Sequence, residues 1–277
     1  MLAAATARFA LADEPGIVSL GPWIVRAGDA DAPVRAFCFH SMGVGASLFT
    51  RFLLDTPAGI CMHAIQTPGR ENRAGEPVAN RFPDLVDALV AELVPLIDRP
   101  FVFWGHSFGG IVAYEVLRRL QDDHGLFAAH FMVTGTIAPE GVTLWQKRDV
   151  LAKANAHTNS ADYLISISRY VEDIEFIKEL LPLMRRDMPL LLSYRHVEGG
   201  LLECPISAFA ALQDDMVYPD EIAGWARHTK AGFALHEVPG DHWFLNRNFG
   251  AIQEHLRQIT RLADPGTPVH PQNQIHA

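Results

Sequence analysis

The sequence predicts an α/β protein, with a mostly parallel central sheet flanked by helices and a helical insertion past the middle of the chain. Two observations predict it. Short apolar runs bounded by turn residues alternate with longer stretches of helical hydrophobic spacing, as when helices cover both faces of a parallel sheet. Residues 140–200 break that alternation, because helical patterns dominate there and no strand-like run occurs.

The elements follow in order. Val34–Phe39 (VRAFCF) reads as a buried strand, and Ile60–Ile65 (ICMHAI) as a second, ended by Pro68 and Gly69. Residues 101–104 (FVFW) form a third, and 131–133 lie in a fourth. Residues 206–210 and Phe233–Val238 supply the last two. From Phe82, residues Leu85, Val86, Leu89, Val90, Leu93 and Ile97 fall at helical steps, and Pro83 suits a first helical turn. After Ser107, residues Ile111, Val112, Val116, Leu117 and Leu120 repeat the pattern. Ile252, Leu256, Ile259 and Leu262 form a final stripe. Inside the insertion, helices are expected over 161–170 and 174–194, with Pro182 and Pro189 kinking or splitting the second. The expected organisation is a core of residues 1–139 and 201–277, with 140–200 as a helical lid over the sheet's end. Residues 264–277, polar and proline-rich, read as a loose tail.

Composition narrows the function. The chain has 277 residues, 49% hydrophobic and 20% charged, which excludes disordered and fibrous classes. Basic residues number 23 against 32 acidic, a formal charge of −9 that disfavours a general nucleic-acid binder. No apolar run reaches the roughly 18 residues of a membrane span. The first residues have no basic cluster ahead of an apolar run, so no signal peptide is expected. Cys38, Cys61 and Cys204 form neither a disulfide framework nor a CxxC metal pattern, which fits a reducing, cytoplasmic setting.

The sharpest chemical signal is Gly105-His106-Ser107-Phe108-Gly109, a G-x-S-x-G pattern with a strand before it and a helix after it. In such an elbow the serine sits on a strained turn, and its neighbours must be glycines because a Cβ would strike nearby backbone. The helix N-terminus favours negative charge, and the backbone N–H of Phe108 would form half of an oxyanion hole. A serine hydroxyl needs a base, and the base an orienting acid. In α/β-hydrolases these follow in the order serine, acid, histidine. Asp214 and Asp215 follow one downstream strand, and His242, after Gly240 and Asp241, follows the next. Chemistry alone leaves the two aspartates level. His228, His236 and His255 are also downstream but lack that placement. The loop from His40 to Ser47 should give the second oxyanion donor, with the N–H of Met42 as the candidate. A dinucleotide reading of Gly43-x-Gly45 fails, because position 48 is leucine.

These residues together resemble the type II thioesterases of bacterial polyketide and nonribosomal peptide pathways, of the α/β-hydrolase superfamily. Phe37-Cys38-Phe39 with Gly43, Gly45, Ala46 and Ser47 is similar to that family's FCFPHAGGGAS opening. Gln66-Thr67-Pro68-Gly69-Arg70-Glu71-Asn72-Arg73 is similar to QLPGRENR. The run from Trp104 to Gly110 (WGHSFGG) has the family's usual elbow. Leu180 to Asp187 resembles the lid motif LLPxLRAD, Cys204-Pro205 the opening of the strand before the acid, and Gly240 to Leu245 the segment GGHFFL. Asp214, Val217 and Pro219 keep the family's D-x-x-V-x-P register, which puts Asp214 ahead of Asp215. The resemblance implies a triad of Ser107, Asp214 and His242, with oxyanion donors at Met42 and Phe108. The chain departs from the family at His40-Ser41, where Pro-His or Pro-Tyr is usual, and at Val44, where a glycine is usual. Thr134 to Pro139 stands where SGRRAP is usual.

The resemblance further implies hydrolysis of acyl or aminoacyl thioesters on phosphopantetheinyl carrier proteins, clearing stalled units. It implies no metal and no cofactor of the enzyme's own. Transfer of the acyl group to a second carrier or an amine by the same triad is the alternative. Carrier domains of such pathways are usually acidic, so docking would need a basic patch. Arg70, Arg73, Arg185 and Arg186 either supply it or lie on a solvated face or in ion pairs within the chain.

Overall fold

The computed structural model describes residues 11, 14–147 and 174–264. Eight strands form one sheet in the order β1-β2-β4-β3-β5-β6-β7-β8. They are β1 (Ile17–Leu20), β2 (Ile24–Gly28), β3 (Val34–Phe39), β4 (Ile60–Ile65), β5 (Phe101–His106), β6 (His130–Thr134), β7 (Ile206–Ala211) and β8 (Phe233–Val238). From β4 to β8 every neighbouring pair is parallel, whereas β1 and β2 add an antiparallel hairpin at the β4 edge.

The six strands expected from apolar runs all form, and the hairpin is the addition. Its cause is visible in burial. Every residue of β4, β5, β6 and β7 is buried, so these read as continuous apolar runs. In β1 only Ile17 is buried, so that edge strand leaves no such run.

The sheet separates two apolar layers, and β5 feeds both. Phe101 and Phe103 join the layer under helices α2 (Phe82–Leu93) and α3 (Phe108–His124). Val102 and Trp104 join the layer of Phe49, Phe52 and Ile252. That second layer includes α1 (Thr50–Leu54) and α7 (Phe249–Ala263). Trp104 is fully buried, its ring edge-on to Phe49 and Phe52 at 4.8 Å. All three cysteines are buried and free.

The other helices are α4 (Pro139–Lys147), α5 (Ile174–Ser193) and α6 (Pro219–Ile222). Of the kink or split expected within 174–194, the split does not occur: α5 is one helix with Pro182 and Pro189 inside it. Each proline removes one helical hydrogen bond, at about 3 kcal/mol or more. The C-terminal part of α5 is held against the core by Leu190 and Leu191, and Ser193 Oγ accepts the N–H of Phe82 at 2.9 Å. Tertiary packing thus overrides local preference. The expected helix at 161–170 lies outside the described residues, as does the expected tail beyond 264.

Candidate active site

The site gathers at the carboxyl ends of β3, β5, β7 and β8, where parallel sheets collect ligands. Ser107 lies between β5 and α3, at the N-cap of the helix, with φ 53° and ψ −123°. A side chain in that conformation costs about 1–3 kcal/mol. The surrounding turn enforces it. Ser107 N–H donates to the Thr134 carbonyl at 2.9 Å, while the Ser107 carbonyl accepts from Gly110 N–H at 2.9 Å and from the Thr136 hydroxyl at 3.0 Å.

The flanking glycines have a steric cause. A Cβ on Gly105 would collide with Gly110, and one on Gly109 with the carbonyls of Phe39 and His40. Gly109→Ala is therefore expected to destabilise the fold by about 1–3 kcal/mol. Urea denaturation reads this, and wild-type stability would show that the contact yields freely.

His242 follows β8. Gln213 N–H donates to the Gly240 carbonyl at 2.9 Å, and Gly240 N–H donates to Gln213 Oε1 at 2.6 Å, so the loops after β7 and β8 are joined. His242 Nε2 lies 2.9 Å from Ser107 Oγ, and Nδ1 lies 2.8 Å from Asp214 Oδ2. A carboxylate only accepts, so the imidazole proton sits on Nδ1 and the Nε2 lone pair faces the serine hydroxyl. Asp214 Oδ1 accepts the N–H groups of Met216 at 2.8 Å and Val217 at 3.0 Å. Burial pushes the Asp214 pKa up, but His242 and those two N–H groups outweigh it and hold the carboxyl below its ordinary range. Asp214 is buried and takes the His242 bond, whereas Asp215 is exposed.

The competing histidines lie elsewhere. His228 bonds to the Tyr114 hydroxyl at 2.9 Å and to Glu140 Oε2 at 2.6 Å. His236 and His255 pack against each other, their ring centroids 4.7 Å apart.

The collision sites on Gly109 place the end of β3 and the start of the loop after it against the elbow. Met42, in that loop, is buried. Phe108 is the first residue of α3, so its N–H has no partner within the helix. The loop is braced from beyond β4. Gln66 Oε1 accepts Ala46 N–H at 2.7 Å, and Glu71 Oε1 accepts Gly45 N–H at 2.9 Å and the Ser47 hydroxyl at 2.6 Å. His40 is fixed by its own ring. Nδ1–H donates to the Ser41 carbonyl at 2.8 Å, and Nε2 accepts from the Thr67 hydroxyl at 3.0 Å. A narrow cleft opens beside the elbow, lined by Phe39, His40, Thr67, Phe108, Val112 and Leu190 among others.

Burial leads in pushing His40, His106 and His130 down to about 3, and His63 and His255 down to about 4. The folded protein leaves these rings neutral, while the unfolded chain protonates them near 6.5. Stability is therefore expected to fall as pH drops from about 6.5 toward about 4. Urea midpoints across that range test this, and a flat profile would overturn it.

Residues that motif reading did not assign are Thr134 and Thr136, which hold the elbow. Thr136, at one of the two positions where an arginine is usual, thus serves the turn instead. Arg70 and Arg73 are buried in pairs with Asp187 and Glu76, so the basic patch considered for docking does not include them. Among the described residues, no group of three or more His, Cys, Asp or Glu is arranged to hold a metal, and no helix is long and apolar enough to cross a membrane.

Comparison with known proteins bears on what the arrangement does. The family model of the thioesterase domain matches residues 35–260. The chain belongs to the thioesterase family. Gramicidin S biosynthesis protein GrsT of Aneurinibacillus migulanus is 31% identical over 247 residues, covering 89% of this chain and 96% of that protein. Thioesterase PikA5 of Streptomyces venezuelae is 30% identical over 276 residues, 96% of each chain. Among solved structures, the thioesterase RedJ from the prodiginine pathway of Streptomyces coelicolor matches with a TM-score of 0.71 at 28% identity, covering 83% of this chain and 92% of that one. Proteins similar to this thioesterase include members of nonribosomal peptide and polyketide pathways, solved type II thioesterases among them, as the motifs implied, and its sheet is that of the α/β-hydrolase fold.

Proposed function

We propose that this thioesterase removes acyl or aminoacyl groups from phosphopantetheinyl carrier proteins by a serine mechanism, with Ser107, His242 and Asp214 as the triad. The observation that carries the reading is the bonded series from Ser107 Oγ through His242 to Asp214 at a strained elbow. His242 Nε2 takes the Ser107 proton as Oγ attacks the thioester carbonyl. The N–H groups of Met42 and Phe108 receive the oxyanion, at about 2.7–4 kcal/mol per donor. The tetrahedral adduct collapses, and His242 returns the proton to the departing thiol. Water then attacks the acyl-enzyme with His242 again as base, releasing the acid and free Ser107. Of the lid expected over residues 140–200, α5 supplies Leu190 to the cleft, while residues 148–173 lie outside the described residues. The enzyme uses no metal or bound cofactor of its own, works in the cytoplasm, and binds neither nucleic acid nor membrane.

The test is incubation with acyl-loaded carrier proteins, followed by intact mass, with an unloaded second carrier in half the samples. Loss of the acyl group to water supports editing hydrolysis. Appearance of the group on the second carrier would make the enzyme a transferase. No loss and no transfer across a broad acyl panel would overturn the reading.

A further inference from the structure

Two segments that carry the family resemblance, residues 66–73 and 180–187, meet on the loop after β3. Asp187, on α5, is 2% exposed. Its Oδ2 accepts the backbone N–H of Gly43 at 2.8 Å and Arg70 Nη1 at 2.9 Å, while Oδ1 accepts Arg70 Nη2 at 2.7 Å. Arg70 continues into the loop and its neighbour, donating from Nη1 to the Val44 carbonyl at 3.2 Å and from Nε to the Pro68 carbonyl at 3.3 Å. Removing two charges from water is expensive, and this pair is compensated by a bidentate contact and three backbone groups. The Gly43 N–H belongs to the peptide unit that follows Met42. A bond to it limits rotation about Met42, the residue whose own N–H is the proposed oxyanion donor.

We infer that Asp187 is a positioning residue, tying α5 to the oxyanion loop so that the hole is formed only while that helix is docked. The inference rests on the serine mechanism proposed above. Docking of α5 and assembly of the hole become one event. With the helix displaced, Gly43 and Arg70 lose their shared carboxylate and Met42 is free to turn away. Substrate can still reach Ser107, but the oxyanion loses a donor.

The test compares wild type with Asp187→Asn, Asp187→Ala, Asp187→Glu and Arg70→Lys. Thioester kcat and KM are measured beside affinity for a trifluoromethyl ketone analogue of the acyl group. Ser107 Oγ adds to the ketone carbon, its proton passes to His242, and the adduct oxygen carries the negative charge into the hole. Losing one oxyanion donor costs about 10²–10³ in kcat, so Asp187→Ala should approach about a hundredfold loss and Asp187→Asn about tenfold. KM should change little, ketone affinity should fall in step with kcat/KM, and Asp187→Glu should recover part of both. Thermal melting identifies folded variants. Asp187→Asn keeps an acceptor oxygen and Arg70→Lys keeps the charge, so either carries the test if Asp187→Ala does not fold. A folded variant that keeps kcat and ketone affinity, or loses kcat with ketone affinity intact, would overturn the inference. A wild-type protein that neither hydrolyses thioesters nor binds the ketone would remove the serine mechanism itself. An active wild type, an inactive Ser107→Ala and an unaffected Asp187→Asn would remove only this inference.

Discussion

Ser107→Ala is expected to lower kcat for thioester hydrolysis on the order of 10⁶-fold, leaving only what binding and the oxyanion hole supply. The fold should survive, because the turn is held by backbone bonds from Thr134 and Gly110 and by the Thr136 hydroxyl. Stability then separates chemistry from strain. Alanine keeps the Cβ that φ 53° penalises, so Ser107→Gly should be more stable than Ser107→Ala by about 1 kcal/mol or more. Single-turnover assays and urea denaturation read the two effects. Substantial turnover in a folded Ser107→Ala protein would rule out the serine as nucleophile.

Asp214→Asn is expected to cost about 10⁴-fold in kcat with the geometry kept. The carboxylate accepts from His242 Nδ1 and from two backbone N–H groups. An amide nitrogen turned toward Nδ1 would donate instead, moving the imidazole proton to Nε2 and leaving no lone pair for Ser107. The same substitution tests linkage. The Asp214 pKa lies lower folded than unfolded, so its contribution to stability is present above the ordinary carboxylate range and lost as pH falls through the lowered value. The stability gap between wild type and Asp214→Asn should therefore close in acid. Asp215→Asn should leave kcat near wild type. If instead Asp215→Asn were the damaging change, the assignment would pass to that residue.

The contrast between those two aspartates shows what sequence can carry. Both are carboxylates at one strand exit, and composition cannot rank them. The family register favoured Asp214, and the fold buries Asp214 while leaving Asp215 in solvent. The elbow was legible because its demands are local: a serine at positive φ needs small neighbours within two residues. The strands β4 to β7 were legible because burial on both faces leaves a near-continuous apolar run. The β1–β2 hairpin was not: its strands have only four and five residues, and in β1 only Ile17 is buried. Nor was the continuity of α5 through Pro182 and Pro189, which depends on contacts made elsewhere in the chain. Arg70 and Asp187 were each singled out within a motif. That they bond across 117 residues is a property of the folded chain alone.

The burial of all three cysteines has a consequence for the company this protein keeps. Each turnover of the proposed reaction would release a free thiol beside the protein. Exposed cysteine thiolates could be drawn into mixed disulfides with that product or with the carrier itself under oxidation. Cys38 and Cys61 are buried with their thiols pushed up, and burial takes Cys204 to about 12. With all three thiols buried, the chain presents no exposed cysteine to exchange with the thiol that the proposed reaction releases.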